Sequence, residues 1–317
     1  MRPINISAIQ PYIPARLKFA LKPYYRKIFP NRLHVVLLPT FRCNYRCSYC
    51  TVVTKFDFTT IYPKAAERSV SDWLAALDRL PPAVIYIAGG EPFVYAGLAD
   101  LVNGLPGKHQ VIGIVSNLSQ PASVYRKITR KLHLNASFHR EFTEHKEFAQ
   151  KVKELSDQFH IHVNVVATRE NLSFLSEISA EMSSDNITLH VDPVVDPEFC
   201  YSREEMDFLG KFIRNDRVPD QQLNFQDFAP KRCSAGRNYV FVVPNGDVYT
   251  CGGGLAYMTS PLYEKLIEGR KLPKFAMGNL FDPEFRLNSG DIICALPCKE
   301  ACDRDSVRLT YVRQTGT

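Results

Sequence analysis

LHVVLLPTFRCNYRCSYC, residues 33–50, joins a short apolar run to a close set of thiols, and its reading decides the fold. Leu33 to Leu38 is rich in branched β-prone residues, too short for a helix, and stopped by Pro39, so it reads as a strand. The same theme recurs at Ala83 to Ala88, Gln110 to Ser116, Leu132 to Phe138, Ile161 to Ala167 and Ile187 to Pro193, which makes six candidate strands. Helical patterns separate them, and strands alternating with helices predict βα units around a parallel sheet. Six units fall two short of a closed eight-stranded barrel, so an α/β fold is expected: a partial (β/α)6 open TIM-like barrel with its chemistry at the C-terminal strand ends.

The intervening helices carry local signals. Ser71 and Asp72 precede Trp73, Leu74, Leu77 and Leu80, giving N-cap candidates ahead of an apolar stripe. Phe148, Val152 and Leu155 form a second stripe beside Lys151, Lys153 and Glu154, and a last helix is expected near Ser202 to Arg214. Beyond about residue 225 the texture changes. Tyr239 to Val243 and Val248 to Thr250 flank Asn245-Gly246, a strong hairpin signal, and the rest is irregular and cysteine-rich. The expected division is a basic extension over 1–32, the partial barrel over 33–225, and a small cysteine-rich domain containing a β-hairpin over 226–317.

The formal net charge of +6 is concentrated at one end: residues 1–33 hold seven Lys or Arg and no acid, leaving the remainder at −1. A near-neutral body gives no reason to expect nucleic-acid binding. Pro14 to Phe29 interleaves basic residues with Leu, Phe, Tyr and Ile and is interrupted by Pro23. Such a segment either packs across an open barrel end or makes peripheral contact with an anionic membrane, and Pro23 favours packing because it breaks a long surface helix. With no apolar run long enough to span a bilayer and no signal-peptide pattern, the chain is expected to be cytoplasmic.

Nine cysteines are unusual where disulfides are not expected, and their grouping at 43, 47, 50 and at 294, 298, 302, with 233 and 251 between, reads as metal binding. Three thiolates can hold an iron-sulfur cluster with one iron left open, whereas structural zinc usually takes four ligands from two CxxC pairs. The run Cys43-Asn44-Tyr45-Arg46-Cys47-Ser48-Tyr49-Cys50, placed directly after the first strand, resembles the radical S-adenosylmethionine (SAM) superfamily, with Tyr49 at the aromatic position before the last cysteine.

The resemblance implies that Cys43, Cys47 and Cys50 hold a 4Fe-4S cluster whose open iron binds SAM. It extends to Gly89-Gly90-Glu91-Pro92 after the second strand, where the family holds SAM's amino group through backbone and carboxylate. It further implies SAM contacts from Ser116 and Asn117, from Ser137, and from Arg169 through its fork of donors. His139 would face substrate or cap a helix.

Cys233, twelve residues, Gly246, four residues and Cys251 reproduce the opening of the family's SPASM and twitch extensions. Five cysteines after residue 225 suit the shorter twitch form, with a second, auxiliary 4Fe-4S cluster held by Cys233, Cys251, Cys298 and Cys302 and with Cys294 in reserve. The alternative is zinc at the same positions. Cys200 is either a small packed thiol or a hydrogen-atom donor to a substrate radical.

By resemblance the chain is a radical SAM enzyme that takes an electron from a flavodoxin- or ferredoxin-type donor, cleaves SAM to a 5'-deoxyadenosyl radical and abstracts hydrogen from an unactivated carbon. The 33 residues before the barrel cannot form a leader-binding winged helix, which points to a sugar, nucleoside or lipid precursor rather than a peptide. A peptide-modifying maturase is the alternative. A non-catalytic iron-sulfur electron carrier or a SAM-binding scaffold is the rival of another class, and the carrier would have no use for the Gly89 to Pro92 segment.

Overall fold

The computed structural model describes residues 32–55, 57–181, 187–194, 199–212, 228–259, 268–269, 272–296 and 309–311. The first six strands are β1 (Leu33–Leu37), β2 (Ala83–Ile87), β3 (Gln110–Ser116), β4 (His133–Phe138), β5 (His160–Val166) and β6 (Ile187–Asp192). Each lies within one residue of its expected bounds, because branched runs ended by Pro, Gly or polar residues are strong local signals. They pair in parallel and in sequence order from β1 to β6. The sheet stays open at β6, as an incomplete barrel should.

The helices are α1 (Phe58–Ile61), α2 (Val70–Asp78), α3 (Leu98–Gly104), α4 (Ala122–Tyr125), α5 (His145–Leu155), α6 (Arg169–Leu172), α7 (Leu175–Glu181), α8 (Arg203–Leu209) and α9 (Gly252–Thr259). Trp73, Ala76 and Leu77 of α2 are buried, as are Phe148, Val152 and Leu155 of α5. They meet the alternate strand residues Leu134, Ala136, Phe138, Ile161, Val163 and Val165 in one core. At about 1.5–3 kcal/mol for each fully buried large apolar side chain, this layer is the main source of the barrel's stability. The N-cap of α2 is Ser69, not Ser71. Its hydroxyl accepts from the Asp72 N–H at 3.1 Å while Asp72 accepts from the Ser69 N–H, a capping box that places Asp72 at the third helical position.

The other face of β4 to β6 carries the residues one step out of phase: His133, Asn135 and Ser137, then His160, His162 and Asn164, then Thr188, His190 and Asp192. None of these nine is fully buried.

The hairpin forms where expected, from β8 (Tyr239–Val242) and β9 (Asp247–Tyr249). Gly246 turns it at φ 89°, and the Asn245 side chain accepts from the Asp247 N–H at 3.0 Å. β8 then pairs in parallel with β1, and β10 (Ala276–Asn279) pairs with β9, so the large sheet has nine strands in the order β10-β9-β8-β1-β2-β3-β4-β5-β6. The division expected near residue 225 is therefore not a break in the main sheet. A separate three-stranded sheet is made by β7 (Lys231–Cys233), β11 (Ile292–Cys294) and β12 (Leu309–Tyr311), with β7 in the middle. Residues 33–317 form one unit. The basic segment Pro14 to Phe29, with its packing and membrane alternatives, lies outside the described residues. No described helix is long and apolar enough to cross a membrane.

Candidate cluster-binding site

The loop after β1 is fixed before it reaches its first thiol. Arg42 donates through Nε to Glu67 Oε1 at 2.7 Å and through a terminal nitrogen to Glu67 Oε2 at 3.0 Å and to the Val94 carbonyl at 3.0 Å. The Thr40 hydroxyl also bonds Glu67. A two-pronged guanidinium-carboxylate pair fixes orientation as well as distance. Neither Arg42 nor Glu67 is marked by any motif, and their 25-residue separation hides the pair from sequence reading.

Gly89 and Gly90 lie against this loop. A Cβ on Gly89 would collide with the Thr40 carbonyl and one on Gly90 with those of Phe41 and Arg42, so only glycine lets the backbones approach. The contact is hydrogen-bonded: Gly90 N–H donates to Thr40 O at 3.2 Å and Glu91 N–H to Arg42 O at 2.8 Å. Glu91, 1% exposed, then ties together two strand ends. Its Oε1 accepts from the Ser116 hydroxyl at 3.0 Å and the Phe93 N–H at 3.0 Å, and its Oε2 from the Asn117 N–H at 2.7 Å. Burial raises its pKa to about 7 against the pull of these donors. Asn117 continues the chain of contacts, donating to Asn44 Oδ1 at 3.0 Å beside the Cys43 sulfur.

Cys43, Cys47 and Cys50 thus stand on a braced loop at the C-terminal end of the sheet. The Tyr45 N–H points at Cys43 Sγ at 3.3 Å and the Val53 N–H at Cys50 Sγ at 3.4 Å. Burial pushes the Cys43 thiol up to about 11 and the Cys47 thiol up to about 12, with the neighbouring thiols adding to the shift. Such sulfurs become thiolates when a cation takes the place of the proton. From the opposite side, the loop after β4 closes on them. His139 Nδ1 lies 2.8 Å from Tyr49 Oη and 3.2 Å from Cys47 Sγ, Glu141 accepts from the Ser48 N–H at 3.1 Å and hydroxyl at 2.9 Å, and Phe142 stacks on Tyr45 at 4.5 Å. His139 therefore contacts Tyr49 and the cysteine loop; burial lowers its pKa to about 4, which favours the neutral ring.

Of the expected SAM-contact residues, Tyr49, Gly89, Gly90, Glu91, Pro92, Ser116 and Asn117 come together here, and Ser137 lies on the face of β4 opposite its buried residues. Arg169 does not join them. It is exposed and engaged elsewhere, with Glu205 Oε1 at 3.1 Å, the Cys200 carbonyl at 2.6 Å and the Phe199 ring centre at 4.9 Å. Cys200 is exposed and stands apart from the other thiols' buried cluster.

A second thiol group lies in the C-terminal part. Cys233, Cys251 and Cys294 are buried together with Ala235, Tyr239, Phe275 and Leu296. Each sulfur again receives a nearby backbone N–H: Ala235 to Cys233 at 3.4 Å, Gly254 to Cys251 at 3.2 Å and Leu296 to Cys294 at 3.4 Å. Cys294 is placed by register. Ile292 opposes Cys233 and Cys294 opposes Lys231, so Cys294 shares a face of the small sheet with Cys233. The expectation that Cys294 is the reserve thiol runs against this placement, while Cys298 and Cys302 lie outside the described residues.

Among the described residues, neither set of three sulfurs closes to within 4.8 Å, the mutual spacing expected around one ion. Thiols supplied with N–H donors suit an iron-sulfur cluster, whose properties depend on hydrogen bonds to sulfur.

Residues 37–187 match the family model of the Radical SAM superfamily. That segment, a little under half of the chain, is a radical SAM domain, and such a domain implies a 4Fe-4S cluster and SAM. Among solved structures the chain is similar to native anSMEcpe with bound AdoMet, at 14% identity over 79% of this chain and 78% of that one, with a TM-score of 0.49. It is similar to SuiB of Streptococcus suis at 12% identity over 82% of this chain and 76% of that one, TM-score 0.36. BtrN in complex with AdoMet and 2-DOIA matches at 15% identity over 78% of each chain, TM-score 0.32. No curated protein sequence matches.

Proposed function

We propose that this protein is a SAM-cleaving radical enzyme acting on a small or medium polar metabolite, such as a sugar, nucleoside or lipid precursor, and that it carries a second 4Fe-4S cluster. The observation that supports this best is the gathering of Cys43, Cys47 and Cys50 with the Glu91–Ser116–Asn117 clamp at the C-terminal strand ends, within the matched domain. When bound, a SAM-ligated 4Fe-4S cluster supplies a carbon radical able to take hydrogen from an unactivated carbon. The three cysteines would hold that cluster, and Gly89 to Pro92, Ser116, Asn117 and Ser137 would surround SAM. Arg169 binds Glu205 and the Cys200 carbonyl through Nε and one terminal nitrogen, and its remaining donors would be the ones to meet SAM. His139, Glu141 and Phe142 would cover the cysteine loop and limit water access.

Cys233, Cys251 and Cys294 would hold the auxiliary cluster, with the fourth ligand from Cys298 or Cys302. A flavodoxin- or ferredoxin-type donor would supply the electron. A polar substrate is favoured by the polar face of β5 and β6, opposite their buried residues. There Asn164 donates to Asp192 at 2.8 Å, His190 lies 2.9 Å from the other Asp192 oxygen, and Asn164 Oδ1 is buried without a described partner. Isotope transfer tests the reading. Reduced, cluster-loaded protein with SAM and uniformly deuterated sugars, nucleosides or peptides should place deuterium in 5'-deoxyadenosine from a polar metabolite. Transfer from peptides alone would overturn the substrate class.

A further inference from the structure

We propose that His133, His160 and His162 form a divalent metal site for Zn2+ or a similar borderline ion, at the end of the sheet opposite the cysteines. The site is independent of the radical chemistry above. His133 and His160 open neighbouring parallel strands and stand opposite each other, while His162 lies two residues further along β5 on the same face. Five residues of β4 at about 3.3 Å each put His133 and His160 roughly 16 Å, and His162 roughly 10 Å, from the strand end that faces the cysteine loop.

One ring nitrogen from each histidine falls within 4.8 Å of the others. The ring centres form a near-equilateral triangle with sides of 4.9, 5.0 and 5.1 Å. A nitrogen bound to zinc at about 2.0 Å puts its ring centre about 3.2 Å from the ion, and tetrahedral angles then separate ring centres by about 5.2 Å. The observed triangle needs almost no change of size to accept an ion.

Tautomer and access fit as well. His162 Nδ1 is bonded to the Thr188 hydroxyl, and its Nε2 faces His133 Nδ1 at 3.0 Å. With Thr188 accepting from Nδ1–H, the Nε2 lone pair points between the rings, the arrangement by which outer partners orient metal-bound imidazoles. An ion would replace the proton now shared between His133 and His162. His133 is exposed and His160 and His162 half-buried, which gives the ion an entry path and leaves a fourth position to water.

Zinc itself is the probe. Full-length protein with both clusters loaded should be incubated anaerobically with Zn2+, dialysed, and analysed for iron, zinc and zinc K-edge X-ray absorption. The expected result is close to one zinc per chain with unchanged iron and a nitrogen/oxygen shell at about 2.0–2.1 Å. His160→Ala, and independently the exposed His133→Asn, should each weaken zinc binding at least tenfold without loss of iron. Zinc below about a fifth of an equivalent, a sulfur shell near about 2.3 Å, or binding undiminished in the double variant would overturn the site.

Discussion

Gly90→Ala tests the claim that the cysteine loop is held by the glycine segment after β2. The added Cβ would lie 2.3 Å from the carbonyl oxygens of Phe41 and Arg42, where ordinary contact begins at 3.4 Å, so the two backbones must part by about 1.1 Å. That stretch takes the Glu91 N–H to Arg42 O bond from 2.8 Å to about 3.9 Å, beyond useful hydrogen-bonding distance. Overpacking at about 1–3 kcal/mol, with up to two backbone bonds at about 1 kcal/mol each, gives roughly 2–5 kcal/mol of local destabilisation. For a protein of this size that amounts to a fall in Tm of roughly 4–10 °C. Because the strain falls on the residues leading into Cys43, the first cluster should assemble poorly while the second remains. Iron per chain should drop from near eight to near four, and SAM affinity should be lost with it. Gly107→Ala, where a Cβ would meet nothing within 4 Å, is the control and should change neither. Full iron, unchanged SAM binding and a Tm within about 1 °C in Gly90→Ala would refute the reasoning.

Arg42→Lys should lose the two-pronged contact with Glu67 and the bond to Val94, lowering stability by about 1.5–3 kcal/mol in chemical denaturation; no change would remove the brace from the account. Cys294→Ser should reduce iron to near four per chain and Cys200→Ser should leave it near eight, as read by iron analysis; the reverse pattern would return Cys294 to a reserve role. Glu91 has a folded pKa near 7, above the ordinary carboxyl value of 4.5, so its protonated form stabilises the fold fully below about 4.5 and that contribution is lost as pH rises through 7. The stability of wild type relative to Glu91→Gln should therefore fall by up to about 3 kcal/mol between those pH values, whereas a flat difference would mean that the buried carboxyl is not held protonated.

The strand ladder and the first thiol loop were legible because their signals are local: branched runs, Gly-Gly-Glu-Pro, and three cysteines within eight residues. What escaped was non-local. Nothing around Tyr239 announces that it will pair with His34 some two hundred residues away. Arg42–Glu67 and Ser48–Glu141 are charge contacts across 25 and 93 residues and leave no periodic trace. The antiparallel register of β11 on β7, which sets Cys294 on the same face as Cys233, leaves no mark in the spacing of the cysteines. Arg169's pairing with Glu205 and the Cys200 carbonyl, across 36 and 31 residues, is likewise invisible in the sequence.

The most direct test of the central claim is SAM cleavage by the isolated, anaerobically reconstituted protein. Reduced with dithionite and given SAM, wild type should release 5'-deoxyadenosine, and Cys43→Ala, Cys47→Ala and Cys50→Ala should each release none while keeping the irons of the second site. Wild-type protein that holds a reduced cluster and bound SAM, yet never forms 5'-deoxyadenosine with any candidate substrate, would contradict the account.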